Sequence, residues 1–290
     1  MPAFAPHPER RVAVVTGASS GIGAAVVREL TLAGHPVVLG ARRVQRCEEL
    51  VESLRAEVGD SLEAVSFALD VADNSSVLDF ARRATQWAGE VDIVVSNAGG
   101  MDPVAGLGDP ARFRSQVELN LLGPQALAAA FGPAMVERGH GDLVFVTSES
   151  AVIPRPMAAG YVAAKAGVEA LVRTMRIELE GTGVRAGLVR PGPTATEQGS
   201  TWDAAIVEHV VETWQRFALI RHDGYMRPRD VAAAVMAMVS TARGSEVALI
   251  EIQPQAPTGQ RVVRDNPAQQ RVVPDNPAQQ LVVRDNPKQH

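Results

Sequence analysis

The chain has 290 residues, 46% hydrophobic and 21% charged, a balance that excludes a wholly disordered or fibrous protein. Its 33 acidic against 28 basic residues leave a net charge of −5, which gives no electrostatic support for a nucleic-acid partner. The single cysteine, Cys47, cannot close an internal disulfide and points to a reducing, cytoplasmic setting. The six histidines show no metal-ligand spacing with Cys47 or with one another, so no metal site is expected.

Residues 1–10 carry three prolines and no apolar run of the signal-peptide kind, and read as an N-terminal extension. Short apolar runs at 12–15, 37–39, 65–69, 93–95, 143–146, 186–189 and 248–252 predict strands. They alternate with helical spacing at 24–32, 47–58, 77–87, 112–136, 161–179 and 231–240. Strands that are nearly continuous in apolar residues need cover on both faces. The expected fold class is therefore α/β: a single doubly wound Rossmann-type domain, 11–254, with a seven-stranded parallel sheet. The apolar stretch 119–136 contains Asn120, Pro124, Gln125 and Pro133, so it reads as a packed helix and not as a membrane span.

The first strand runs into Thr16-Gly-Ala-Ser-Ser-Gly-Ile-Gly23 and then a helix. Gly17 suits the tight turn, Gly21 lets backbone approach a pyrophosphate, and Gly23 permits close helix–strand packing. With Ser19, Ser20 and Ile22 they form a loop that leads free N–H groups to a phosphate. The second strand ends in Ala41-Arg42-Arg43, where an acidic residue would bind a ribose 2′-hydroxyl. Guanidinium groups suit a 2′-phosphate instead.

Tyr161 and Lys165 stand four apart, on one face of one helical turn. A cation near a phenol favours the phenolate, which would lower the tyrosine's pKa and help it exchange a proton with a carbonyl oxygen. Ser148, thirteen residues before Tyr161 at the end of the fifth strand, could hold that oxygen, with Thr147 and Ser150 as alternatives.

Together these motifs resemble the short-chain dehydrogenase/reductase family over roughly 11–254, most of all its NADP-preferring carbonyl reductases. The likeness implies a catalytic tetrad of Asn120, Ser148, Tyr161 and Lys165, with Asn120 at a helix irregularity and supporting a proton relay. It makes Arg42 the residue selecting NADP(H), and Arg43 a helper. It also gives Asp70 an adenine contact beside Val71. Asn97-Ala98-Gly99 then borders the cofactor, with Asn97 equally suited to a structural role. Pro191-Gly192 lies at the nicotinamide, where either Thr194 or Thr196 would hold the carboxamide. The Asp-Gly-Gly ending of many relatives is missing after the seventh strand. Relatives pair through helices corresponding to 112–136 and 161–179, which implies a homodimer or homotetramer.

Residues 194–229 interrupt the alternation with Trp202, Trp214, Phe217 and Tyr225. This segment reads as a substrate lid, or as a helical layer packed on the body. Residues 255–290 contain three copies of a ten-residue unit (261–270, 271–280 and 281–290), too short for a core of their own. They read as a flexible tail or as a strap onto a neighbouring subunit. The expected activity is NADP(H)-dependent hydride transfer to a ketone or aldehyde, and the reverse on the alcohol. Two alternatives stand beside it: an NAD-preferring alcohol dehydrogenase, and a non-catalytic nucleotide-binding regulatory or scaffold protein.

Overall fold

Strands β1 (Ala13–Thr16), β2 (Val37–Ala41), β3 (Ala64–Ala68), β4 (Ile93–Ser96), β5 (Gly141–Val146), β6 (Val184–Pro191) and β7 (Leu249–Ile252) form one sheet. Its order is β3-β2-β1-β4-β5-β6-β7, and every pair is parallel. The computed structural model describes residues 5–258, 260–266 and 269–274. The order reverses between β1 and β4, which opens a crevice at the carboxyl ends of those strands, the place where such sheets bind ligands.

Side chains alternate across the sheet with period two, so the central strands feed two cores. Val15, Leu39, Val144 and Val146 pack with α1 (Gly21–Leu32), α2 (Val44–Val58) and α8 (Pro228–Val239), through residues such as Leu30, Leu54 and Val235. Val14, Val38, Leu143 and Phe145 face the other way. They meet α3 (Asn74–Ala88), α5 (Gly123–Arg138) and α6 (Ala159–Glu178), through Phe80, Phe131 and Val172.

The helix expected over 112–136 is divided. Helix α4 (Pro110–Val117) passes through a π-helical turn, Glu118–Leu122, into α5. Such a turn admits one extra residue, which re-aims the side chains it carries. Here it sends Asn120 inward, fully buried, while Leu127, Phe131 and Met135 pack on the sheet.

At the opposite end of the sheet, the buried Asp142 of β5 accepts hydrogen bonds from Arg11 at 2.8 Å and from Arg185 of β6 at 2.6 and 2.8 Å. Arg11 also donates to the Val239 carbonyl at 2.7 Å, which ties the chain entering β1 to the end of α8. His7, in the N-terminal extension, lies 3.0 Å from the Thr241 carbonyl, so the described part of that extension is fastened to the body.

The first two ten-residue units contribute β8 (Gln260–Asn266) and β9 (Gln269–Pro274), which pair antiparallel as a hairpin and join no strand of the main sheet. The third unit, 281–290, lies outside the described residues.

Candidate active site

Gly17 and Gly21 adopt φ of +68° and +56°, a region that favours glycine. Gly23 must be glycine for a different reason: a Cβ there would lie 2.3 Å from the Gly17 carbonyl oxygen. Helix α1 begins at Gly21 with no side-chain cap from Ser20 and no acidic residue in its first turn. Its free N–H groups and positive dipole end therefore fit a dinucleotide's pyrophosphate.

Behind the loop, the Thr16 hydroxyl accepts from the backbone N–H groups of Asn97 and Ala98, each at 3.0 Å. The Asn97 side-chain amide donates to the Thr16 carbonyl at 2.9 Å, so this asparagine braces β4 against the glycine-rich turn. Asp70 lies two residues beyond β3, with its carboxylate accepting from Ala72 N–H at 3.1 Å. Buried Val71 packs against the start of α5 at Gly123.

Arg42 is exposed, and among the described residues no hydrogen bond or ion pair engages its side chain. Arg43 turns toward the glycine-rich loop and donates to the hydroxyls of Ser19 at 3.2 Å and Ser20 at 2.9 Å. It also pairs with Glu197 at 2.8 Å, and Arg46 grips the same carboxylate at 2.7 and 2.9 Å.

Tyr161 and Lys165 rise from α6 on the same face, as their spacing requires, and both are buried. The ammonium lies 5.7 Å from the centre of the phenol ring and donates to the Val146 carbonyl at 2.9 Å. Ser148 lies just past β5, beside the Tyr161 phenol, and its Oγ accepts from Ser150 N–H at 3.1 Å. Thr147 is directed elsewhere, toward Glu169 at 3.2 Å and the Val189 carbonyl at 3.3 Å.

Asn120 completes the cluster. Its amide donates to the carbonyls of Gly100 at 2.9 Å and Gln116 at 3.0 Å, and its oxygen accepts from Gly100 N–H at 3.1 Å. Gly99 lies close to both Asn120 and Lys165: a Cβ there would sit 2.7 Å from Asn120 Oδ1 and 3.4 Å from Lys165 Nζ.

One electrostatic expectation is corrected. Burial pushes the Tyr161 phenol up, and the nearby Ser148 hydroxyl works against that shift. The lysine is itself desolvated, and burial lowers it to about 8. In the unfolded chain this lysine holds its proton up to about pH 10.5, and in the folded chain up to about pH 8. Below pH 8 both states are charged, and the folded state carries the whole desolvation cost, on the order of 3 kcal/mol. Between pH 8 and 10.5 the unfolded state binds more protons, so stability rises with pH. Lys165→Met should accordingly be more stable than wild type at pH 7 by about 1–2 kcal/mol, after the loss of its bond to Val146. Paired thermal melts from pH 7 to 10 should show that advantage shrinking, and a less stable variant at pH 7 would contradict the assignment.

The segment after β6 crosses over the site. Pro191 closes that strand, and Gly192 N–H donates to the Ile252 carbonyl at 2.8 Å. The Thr194 hydroxyl donates to its neighbour's backbone, the Gly192 carbonyl, at 2.9 Å. Thr196 lies over the phosphate loop, where a Cβ on Gly21 would meet its methyl carbon at 3.2 Å. Farther on comes α7 (Ala204–Arg216). Trp202 and Trp214 pack around Met101, Ala158 and Tyr161, whereas Phe217 and Tyr225 are exposed. Trp214 donates to the Pro156 carbonyl at 2.8 Å and stacks beneath the Arg155 guanidinium, 5.1 Å from the ring centre. Buried Arg155 pairs with buried Glu149, the residue after Ser148. Two of the four aromatic residues of this insertion, Trp202 and Trp214, thus pack on the body directly beside Tyr161, as a helical layer would place them.

Sequence reasoning missed Thr16, Arg46, Arg155 and Glu197. Thr16 stood inside the motif and carried a readable signal. The other three act through partners on separate loops and helices, and nothing in their local spacing marks them.

A family model described as short chain dehydrogenase matches residues 11–206. Glycine betaine reductase ATRR of Emericella nidulans is 38% identical over 68% of this chain, but the chain spans only 16% of that protein's length. Cis-4-hydroxycyclohexanecarboxylate dehydrogenase of Sinomonas cyclohexanicum is 33% identical over 83% of this chain and 93% of its own. The alcohol dehydrogenase of Thermococcus sibiricus, solved in complex with 5-hydroxy-NADP, superposes with a TM-score of 0.72 at 32% identity, covering 86% of this chain and 99% of that one.

Proposed function

The chain belongs to the short-chain dehydrogenase family, and on that premise we propose that it is an NADP(H)-dependent oxidoreductase that interconverts a ketone or aldehyde and its alcohol. The observation that carries this reading is the convergence of Tyr161, Ser148 and Lys165 at the carboxyl end of β5, in a sheet whose first turn is built to receive a pyrophosphate. A nicotinamide dinucleotide, when bound, supplies or accepts the hydride.

The chain's own residues handle the oxygen and its proton. Ser148 orients the substrate oxygen beside the phenol. Tyr161, held protonated by burial, donates its proton to that oxygen during reduction. The Lys165 ammonium stabilises the phenolate left behind, and Asn120 holds the Gly100 backbone next to it. Oxidation needs the phenolate first, so its rate should climb with pH while reduction proceeds at neutral pH. Gly17, Ser19, Ser20, Gly21, Ile22 and Gly23 would carry the pyrophosphate. Asp70 and Val71 would border the adenine, and Ala98, Gly99, Pro191, Gly192 and one of Thr194 and Thr196 would border the nicotinamide half.

Residues 11–254 would form the catalytic body, with 194–229 as a lid. Its Trp202 and Trp214, with Met101, offer an apolar wall to the substrate's carbon skeleton. We place the enzyme in the cytoplasm as a homodimer or homotetramer.

NADPH oxidation against small ketones, cyclic ketones, sugars and acyl thioesters tests the activity. For the cofactor, the expected result is that Arg42→Ala raises the KM for NADPH about tenfold, the loss of a charge-assisted pair, and leaves NADH use unchanged. Equal losses with both cofactors would remove Arg42 from 2′-phosphate recognition.

A further inference from the structure

The arginines nearest the phosphate loop are already occupied by an anion that belongs to the chain. Glu197, on the segment after β6, accepts from Arg43 at 2.8 Å and from Arg46 at 2.7 and 2.9 Å. Arg43 also donates to the hydroxyls of Ser19 and Ser20, so two guanidinium groups, one of them anchored to the phosphate loop, hold one carboxylate in the way they would hold a phosphate monoester. The arrangement brings together residues about 150 positions apart in the chain. The pull of both guanidiniums also holds the Glu197 carboxyl below the usual range.

We infer that Glu197 is a specificity-determining residue that competes with the cofactor's 2′-phosphate for Arg43 and Arg46. The inference rests on the dinucleotide reading above. A 2′-phosphate entering this cradle must share or displace the carboxylate, because two anions against the same guanidinium groups repel each other. A ribose bearing only a 2′-hydroxyl makes no such demand and leaves the Glu197 pairs intact. Glu197 therefore narrows the advantage of NADP over NAD, while the unengaged Arg42 favours the phosphate. All these side chains are about half exposed, so the contest is between modest interactions and a single substitution can shift it.

The test is calorimetric titration of the full chain with adenosine 2′,5′-bisphosphate and with adenosine 5′-monophosphate, which lacks only the 2′-phosphate. Glu197→Gln should tighten the bisphosphate about fivefold and leave the monophosphate within twofold. Glu48→Gln, which removes the same charge from the exposed face of α2, should change neither. An unchanged ratio between the two nucleotides in Glu197→Gln, or weaker bisphosphate binding, would overturn the inference and leave the cofactor reading standing. An equal gain in Glu48→Gln would overturn it too, since the effect would then be general charge. If wild type bound neither nucleotide, the cofactor reading itself would fall, and this inference with it.

Discussion

Tyr161→Phe should lower kcat by about 10²–10⁴-fold while the affinity for the dinucleotide stays near that of wild type. The substitution removes one oxygen from a buried ring that packs with Met101, Ala158 and Trp214, so the surrounding cluster keeps its shape. What is lost is the phenolic proton that the proposed reaction transfers and that burial keeps in place at neutral pH. Water is a poor substitute, because Tyr161 is only 8% exposed and Trp202 and Trp214 pack against it. Steady-state rates with titration of the reduced cofactor separate the two effects. Loss of binding along with rate would mean that the residue supports the fold of the site more than its chemistry.

The second large effect is expected at the far end of the sheet. Asp142→Ala should destabilise the protein by about 3–5 kcal/mol, because it strands two guanidinium groups whose shared partner is buried. Arg11 would keep its bond to the Val239 carbonyl, while Arg185 would retain the carbonyls of Thr241 and Ser245 beyond α8. Asp142 lies about 20 Å from Ser148 along β5, at the rise of an extended strand. Turnover per folded molecule should therefore be unchanged. Urea unfolding with activity measured below the transition checks both statements, and a loss under about 1 kcal/mol would show that the arginines find water or other partners.

Much of this architecture was legible before any coordinates. All seven strands of the main sheet fall within a few residues of their expected places, because a parallel sheet covered on both faces demands short apolar runs such as Val12 to Val15. The spacing of Tyr161 and Lys165 settles their common face, and Ser148 arrives beside them because β5 and α6 are adjacent in the fold. The hydrophobic pattern did not show the π-helical turn, since one inserted residue barely disturbs a pattern that continues on both sides of Asn120; the helix irregularity there was implied only by the family resemblance. The direction of the phenol's shift was also hidden. Sequence spacing reports the neighbouring charge, whereas the burial that raises the phenol comes from packing with residues far along the chain, Met101, Trp202 and Trp214 among them. Glu197 gave no signal for the same reason: its partners were chosen by the path of a surface segment, which carries no periodicity.

The most direct test of the central claim follows a labelled hydrogen. Reduced cofactor deuterated at the transferring position of the nicotinamide is incubated with the protein and the carbonyl panel, and the products are analysed by mass and nuclear magnetic resonance. The account predicts one deuterium on the carbinol carbon of the alcohol product, with formation of that product strongly suppressed in Tyr161→Phe. Alcohol formed without deuterium at that carbon, or at the same rate in both proteins, would contradict it.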